Sequence, residues 1–219
     1  LLKTATIALF AIDEAHCVSE WGHDFRTAYL NLGRNTRAFC SRPSGESPPL
    51  MALTGTASRV VLKDVQRELA IDDLDAIITP DSFDRAELNF SVFETDSSTK
   101  QDAVVGFLNS LPSRWGLSKG QFFGSHGSDT SAGMVFCPHV NGQYGVREYS
   151  EVLSNHLGIE VGIYSGAPPR GFDRREWDSI KANTASSYKR NEVTLMACTK
   201  AFGMGIDNQN VRYTVHIGL

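Results

Sequence analysis

The sequence predicts an α/β protein built from parallel sheets with helices on their faces. Short apolar runs at residues 7–12 and 161–164 have the length and composition of buried strands. Apolar residues at helical spacing, such as Val61, Val65 and Leu69, lie between such runs. Strands and helices therefore alternate along the chain, and this order favours parallel strands joined by crossover helices.

The first part of the chain is predicted to contain three strands and one capped helix. Ser58 precedes the helical pattern and can accept a hydrogen bond from the first turn, which predicts the start of that helix. The strands are predicted at residues 7–12, 48–53 and 76–79.

A polar stretch without a clear period, residues 81–88, predicts a domain junction, and we place the boundary between residues 83 and 84. Beyond it, strands are predicted at residues 89–94, 133–137, 161–164, 194–198 and 211–217. Helices are predicted at residues 100–111, 146–157 and 173–181. Two segments rich in Ser, Pro or Gly, residues 42–49 and 113–131, are predicted to be mobile surface loops.

The composition is that of an ordinary globular protein, long enough for two small domains. Its 219 residues are 41% hydrophobic and 21% charged, and the net charge is −4. This negative charge means that any DNA contact must come from a local patch. A run of about 18 apolar residues is missing, so we expect no membrane-spanning helix. The four cysteines form no C-x-x-C pair, which favours buried thiols in a reducing compartment over a zinc site.

The acids Asp13 and Glu14 directly follow the first predicted strand, and Ala15 and His16 come next. A carboxylate at the carboxyl end of a buried parallel strand lies at the ligand-binding edge of the sheet. There Asp13 could hold Mg²⁺ beside nucleotide phosphates, and Glu14 could accept a proton from an attacking water. A solvated turn with His16 as a hydrogen-bonding partner is the alternative that these residues leave open.

An aromatic and charged segment, residues 17–26, follows the acids. Trp21 and Phe25 offer flat faces on which unpaired bases can stack, and His23 and Arg26 offer donors for phosphate. The alternative is that both rings anchor the loop to the core. The position of the segment beside a predicted nucleotide site favours the DNA contact.

Two glycines, Gly203 and Gly205, follow another predicted strand. Glycine lets the main chain approach a phosphate closely. On its own the pattern is more typical of a turn capped by Asp207, and the neighbouring motifs are what favour a nucleotide site.

Several stretches of the sequence resemble motifs of the RecQ family of DNA helicases. DEAHCVSEWGHDFR, residues 13–26, is similar to motif II and the aromatic-rich loop of that family, and it is long and specific. MALTGTAS at residues 51–58 resembles motif III, and SFDR at residues 82–85 resembles the junction between the two domains. GMVFC at residues 133–137 resembles the motif IV strand, and TKAFGMGIDNQNVR at residues 199–212 closely resembles motif V. The resemblance covers nearly the whole chain, except residues 42–49, 113–131 and 182–191.

This resemblance implies a fold, cofactors and partners. The fold would be two RecA-like parallel-sheet domains, residues 1–83 and 84–219, the first incomplete at its N-terminus and the second truncated at its C-terminus. The protein would use ATP and Mg²⁺, act on single-stranded and duplex DNA in the 3′ to 5′ direction, and serve DNA repair or recombination inside the cell without membrane contact.

The resemblance also implies roles for single residues. Asp13 would coordinate magnesium, Glu14 would activate water, and His16 would couple the nucleotide state to DNA. Contacts to DNA would come from Trp21, His23, Phe25, Arg26 and Thr199. Thr54 and Thr56 would link the ATP site to the DNA side. Positions at the nucleotide would also include Gly203, Gly205 and Asp207.

The sequence contains neither a G-x-x-x-x-G-K-[ST] phosphate loop nor the arginine-bearing motif VI of the family. We therefore expect the chain to be a partial motor that hydrolyses ATP poorly by itself. Two alternatives stay open: a related translocase that does not unwind, and a non-catalytic nucleic-acid interaction module, which the departures from the family at Pro138 and Ser165 keep open. A metal-dependent hydrolase is disfavoured because His16, His23 and the acids lack the spacing of ligands on one helix face.

Overall fold

The computed structural model describes residues 6–19, 27–42, 44–55, 58–80, 85–203 and 206–218. The chain divides into two compact units, one that runs to Asn89 and one that begins at Phe90. Each unit has its own core.

The first unit contains a parallel pair of strands, β1 (Phe10–Ile12) and β2 (Leu50–Ala52). Two α-helices belong to it, α1 (Leu32–Cys40) and α2 (Arg59–Leu69). As predicted, α2 begins after Ser58, whose side chain accepts a hydrogen bond from the main-chain N–H of Val61. Short 3-10 helices occupy Ala15–Val18, Thr27–Asn31 and Leu74–Ala76.

The core of the first unit lies on one face of the β1–β2 pair. Its buried members are Ile12, Ala15, Val18, Val65 and Leu69. Since side chains alternate across a strand, the other face carries Leu9, Met51 and Leu53, and these three are exposed. Within the part of the chain that the structure describes, this small sheet is therefore covered on one side only.

The second unit contains a parallel sheet of four strands: β3 (Ala132–Phe136), β4 (Val161–Tyr164), β5 (Leu195–Cys198) and β6 (Val211–His216). Their spatial order is β4-β5-β3-β6, and all neighbouring pairs are parallel. The helices are α3 (Lys100–Arg114), α4 (Lys119–Phe123), α5 (Val146–Leu157), α6 (Arg174–Lys189) and α7 (Lys200–Gly203), with a 3-10 helix at Gly127–Asp129.

Both faces of this second sheet are packed. One face carries Val135, Leu195 and Ala197, which pack against buried residues of α3, α4 and α5. The opposite face carries Met134 and Met196, which pack against Tyr188 of α6 and Phe202 of α7. Helices on both faces of a parallel sheet confirm the predicted fold class, because parallel strands need crossovers that cover both sides.

Two predicted strands are wrong. Residues 76–79 contain the end of the 3-10 helix Leu74–Ala76 and no strand, and residues 89–94 contain no regular element. Phe90 and Val92 are 86% and 83% exposed, so their alternating pattern buries nothing within the described part of the chain. A strand needs a hydrogen-bonded neighbour, and the structure gives none to either segment.

The prediction of a mobile loop at residues 113–131 is also wrong. Ser118 and Gln121 form a capping box that starts α4, with each side chain accepting a hydrogen bond from the other residue's main-chain N–H. Phe122 and Phe123 of this helix are buried in the core, and the Phe122 ring stacks on Tyr213 with centroids 5.5 Å apart. The segment is therefore part of the second unit's packing.

Residues 42 and 44–49 belong to no helix or strand, and Pro43 lies outside the described residues. Arg42 and Glu46 close a turn there through an ion pair of 3.5 Å. Among the helices that the structure describes, none has the length and apolar character needed to cross a bilayer.

Candidate functional site

The two acids of the first unit lie in the turn between β1 and the 3-10 helix Ala15–Val18. Both side chains are exposed. The main-chain N–H of Glu14 donates a hydrogen bond of 2.8 Å to Oδ1 of Asp13. This bond fixes the Asp13 carboxylate relative to the main chain and leaves Oδ2 without a partner among the described residues.

Main-chain bonds to the segment after β2 hold this turn in position. The N–H of Leu53 donates to the carbonyl of Ile12, and the N–H of Ala15 donates to the carbonyl of Leu53, both at 2.8 Å. Ala15 is completely buried. The acids are consequently attached to the sheet on both sides, one bond before Asp13 and one after Glu14.

His16 connects the acids with Thr54. Its Nδ1 lies 2.9 Å from Oγ1 of Thr54 and 3.3 Å from Oε2 of Glu14. With a proton on Nδ1 the imidazole donates to either oxygen, and without one it accepts from the Thr54 hydroxyl. A carboxylate, an imidazole and a hydroxyl therefore form one connected set, built from residues 38 positions apart in the chain.

The acidic turn suits a hard divalent cation that keeps most of its water. Mg²⁺ in nucleotide sites is commonly held by one or two carboxylates together with phosphate oxygens and waters. Asp13 offers one exposed carboxylate oxygen without a partner for such a role. The described residues contain no group of three or more His, Cys, Asp or Glu side chains that could hold a metal by themselves. Thus the donors present fit magnesium bound together with a nucleotide.

In the second unit, the loops after β3 and β5 leave the adjacent strands toward opposite faces. The chain after β3 leads to α5, which packs on one face, whereas the chain after β5 leads directly to α7 on the other. Such a switch point creates a crevice at the carboxyl edge of the sheet, where ligands bind in open α/β folds. Thr199 lies there, half-buried, and its N–H donates to the carbonyl of Tyr164 at 3.1 Å.

Gly203 and Asp207 are both exposed. A Cβ added to Gly203 would lie 3.4 Å from the Phe136 ring, which is van der Waals contact, so α7 lies against that ring at this position. Phe136 in turn stacks on His216, with centroids 4.7 Å apart and planes 19° from parallel.

Several predicted site residues lie outside the described residues: Trp21, His23, Phe25, Arg26, Thr56 and Gly205. Their roles stay predictions. Of the remaining predicted residues, Glu14, His16 and Thr54 are in contact, Asp13 adjoins them, and Thr199, Gly203 and Asp207 belong to the second unit.

The sequence reasoning missed a set of contacts between the loops after β3 and β4. Asn141 accepts a hydrogen bond of 2.7 Å from the main-chain N–H of Arg170, and Arg147 donates to the carbonyl of Arg170 at 3.2 Å. The only local signal was the i,i+4 spacing of Arg147 and Glu151, which form an ion pair of 3.3 Å.

Comparison with known proteins gives both sequence relatives and structural neighbours. No model of a known protein family matches the chain. The probable ATP-dependent DNA helicase RecS of Bacillus subtilis is 30% identical over 219 residues, which are the whole chain and 37% of that protein. The ATP-dependent DNA helicase Q1 of Mus musculus is 32% identical over 208 residues, or 94% of the chain and 26% of that protein. The chain thus spans well under half of the length of these relatives.

A solved structure of the DEAD-box helicase Mss116 bound to ssRNA and UDP-BeF matches with a TM-score of 0.63 and 15% identity, over 97% of the chain and 38% of that protein. The fold is RecA-like, with parallel sheets, and the acidic turn lies at the end of the first strand. Over its whole length the sequence is similar to ATP-dependent DNA helicases of the RecQ family, which confirms the resemblance seen in its motifs.

Proposed function

We propose that this chain supplies part of the motor of an ATP-dependent 3′ to 5′ DNA helicase, which couples ATP hydrolysis to movement along single-stranded DNA and to duplex unwinding. The observation that carries the proposal is the connected set of Glu14, His16 and Thr54. A motor must transmit the state of its nucleotide to its track, and a chain of polar contacts from a catalytic acid can do so.

Each residue of the acidic turn has a role in this proposal. Asp13 would hold Mg²⁺, and the metal would neutralise charge on the phosphates of ATP. Glu14 accepts the proton of the attacking water. His16 then senses the charge and position of Glu14 through Nδ1, and Thr54 transmits that change to the segment after β2.

The proposal extends to the second unit and to the predicted DNA contacts. Thr199, at the carboxyl edge of the second sheet, contacts the DNA backbone, and Gly203, Gly205 and Asp207 face the nucleotide. Trp21 and Phe25 stack on unpaired bases, while His23 and Arg26 donate to phosphates. Thr56 acts together with Thr54. The relatives' names, each an ATP-dependent DNA helicase, support this assignment of ATP and DNA as ligands.

The test uses the full-length protein that carries this chain, with ATPase rates measured with and without single-stranded DNA. Thr54→Val removes the hydroxyl and keeps the shape, so we expect basal hydrolysis to persist and DNA stimulation to fall about 5- to 150-fold, the usual range for coupling between two sites. Thr54→Ser keeps the hydroxyl and should retain stimulation. Full DNA stimulation in Thr54→Val would contradict the coupling role.

Further assays on the same full-length protein distinguish the helicase motor from the two alternatives. Glu14→Gln should lower ATP hydrolysis by about 10²- to 10⁴-fold, as expected for loss of a general base, while ATP binding persists. Unwinding of duplexes with a 3′ tail but not a 5′ tail would support the direction. Translocation without strand separation favours the non-unwinding translocase, and binding of DNA with no ATP turnover by the unmodified protein favours the non-catalytic module.

The chain alone offers a second experiment. Single-turnover ATP hydrolysis by these 219 residues should be slow, because no phosphate loop is present in the sequence to bind the triphosphate. Brisk, DNA-stimulated turnover would show that the missing motifs are dispensable.

A further inference from the structure

Two loops at the carboxyl edge of the second sheet are joined through one residue, Arg170. The first loop, residues 137–145, follows β3, and the second, residues 165–173, follows β4. Asn141 Oδ1 of the first loop accepts from the main-chain N–H of Arg170 at 2.7 Å. Arg147, at the start of α5, donates from Nη1 to the Arg170 carbonyl at 3.2 Å. Both polar main-chain groups of Arg170 are therefore bound by side chains, one from the first loop and one from the start of α5.

Arg147 is itself fixed by two further contacts. Its Nε donates to Oε1 of Glu151 at 3.3 Å, and its guanidinium lies over the Phe172 ring at 5.5 Å from the centroid. Arginine can combine stacking with several directed hydrogen bonds, which lysine cannot reproduce. Arg147 therefore connects α5, the carbonyl of Arg170 and the end of the second loop.

Both ends of the second loop are also anchored. Trp177, completely buried, donates from Nε1 to the carbonyl of Ser165 at 3.0 Å. Asp173 Oδ1 accepts from the N–H groups of Arg175 and Glu176 and thereby caps α6. The loop is thus held at its beginning, at Arg170 and at its end.

The Arg170 guanidinium, in contrast, is exposed and makes no hydrogen bond or ion pair with any described residue. Arg174 and Arg175 follow in the chain, but Asp173, Glu176 and Asp178 offset their charge, so Arg170 differs from its neighbours by its unpartnered guanidinium and not by a basic surrounding. Because the main chain of Arg170 is fixed, only its side chain has to be ordered when the guanidinium, which has no partner among the described residues, binds an external oxyanion.

We propose that Asn141 and Arg147 are positioning residues that hold the second loop so that Arg170 contacts a phosphate of single-stranded DNA. This inference rests on the proposed function, because Thr199, whose N–H is bonded to Tyr164 at the start of the same loop, is the proposed backbone contact there. Guanidinium groups bind phosphate through paired donors, which supports phosphate as the ligand. An acidic protein surface is the competing partner.

The test measures binding of a fluorescein-labelled oligo-dT to the chain by anisotropy at several salt concentrations. Arg170→Gln should weaken binding about threefold to tenfold and should reduce the slope of log K against log salt by about 0.7, the value for one phosphate contact on a single strand. Asn141→Ala and Arg147→Met should each weaken binding while leaving the thermal unfolding of the second unit nearly unchanged. Lys189→Gln, an exposed cation at the other end of α6, is the control and should bind like the unmodified chain.

A double-mutant cycle distinguishes positioning from general structural damage. If Asn141 acts through Arg170, Asn141→Ala has no further effect on DNA affinity once Arg170 is Gln. Additive losses, or normal binding by Asn141→Ala and Arg147→Met, would overturn the positioning role. Unchanged DNA binding by Arg170→Gln would overturn the phosphate contact and favour an acidic protein partner. Absence of DNA binding by the unmodified chain would instead count against the proposed function.

Discussion

The two units of the molecule build their sites on cores of different extent. In the first unit, as far as the structure describes it, two strands are packed on one face, and Leu9 and Met51 are exposed on the other. In the second unit, four strands are packed on both faces. Local opening is easiest where few apolar contacts are buried. We therefore expect the first unit, which carries the acids, to open more easily than the second unit, which carries the loops at its sheet edge.

We expect the largest effect on unfolding free energy from truncating a buried side chain in the core of the second unit. Phe122→Ala removes a completely buried ring that packs on Tyr213, Phe123 and Trp115, and should cost about 3–5 kcal/mol of unfolding free energy. Denaturant unfolding followed by tryptophan fluorescence would measure it, since Trp115 and Trp177 both lie in this unit. Phe90→Ala, which removes a ring that is 86% exposed, is the matched control and should change little.

The corresponding change in the first unit is Leu69→Ala. Leu69 is buried against Val65 and Ile12, and its loss should cost about 2–3 kcal/mol, near the low end for buried leucine, because the smaller core can relax around the gap. Equal losses of unfolding free energy in the two units would contradict the expected difference in stability between them.

Thiol labelling in the unmodified chain compares how readily the two units open. Cys17 is half-buried, whereas burial raises the pKa of the Cys137 thiol to about 12. Alkylation needs the thiolate, so at pH 8 the raised pKa leaves Cys137 almost entirely protonated. We expect Cys17 to react at least about 100-fold faster, measured by mass spectrometry of peptides after iodoacetamide treatment.

A pair of buried thiols, one in each unit, sharpens the same comparison. Cys40 belongs to the first unit and Cys198 to the second, and both are buried. If the first unit opens more easily, Cys40 is labelled before Cys198 as denaturant is added below the main transition. The reverse order would contradict the comparison.

The smallest expected effects concern the helix caps. Asp173 accepts two main-chain hydrogen bonds, at 2.8 and 2.9 Å, whereas Ser58 accepts one at 3.3 Å. Asp173→Ala should therefore cost about 1–2 kcal/mol and Ser58→Ala about 0.5–1 kcal/mol, measured by thermal unfolding. Asp173→Asn keeps the accepting oxygen and should retain most of the stability. A larger loss for Ser58→Ala than for Asp173→Ala would show that bond number does not set the ranking.

Local patterns predicted the elements whose packing follows from the sequence itself. The helix Val146–Leu157 and the strand Val161–Tyr164 have the predicted bounds, because apolar residues with a clear period end at Gly158, a left-handed helix cap. Residues 89–94 have an equally regular pattern, yet form no strand. Alternation predicts which side chains share a face, but it does not tell whether a neighbouring strand is present.

Composition misled the prediction at residues 113–131. Gly and Ser dominate this segment, although Ser118 and Gln121 carried a capping-box signal ahead of Phe122 and Phe123. In the site, Asp13, Glu14 and His16 could be selected because they lie within four consecutive positions of the chain. The contacts of His16 with Thr54 and of Asn141 with Arg170 join residues 38 and 29 positions apart, so they depend on tertiary register that no local pattern encodes.

The main chain at Glu14 has φ 50° and ψ 44°, in the left-handed region that Cβ-bearing residues seldom enter. Under the proposed function, two selections act on this position, one for a carboxylate and one for tolerance of an unusual backbone. In a saturation library sorted for solubility, Gly and Asn should be enriched and Val and Ile depleted, although all four lack the acid. Selection for ATP turnover should instead discard Gly and Asn, because neither has a carboxylate. The two screens would therefore favour different residues at position 14.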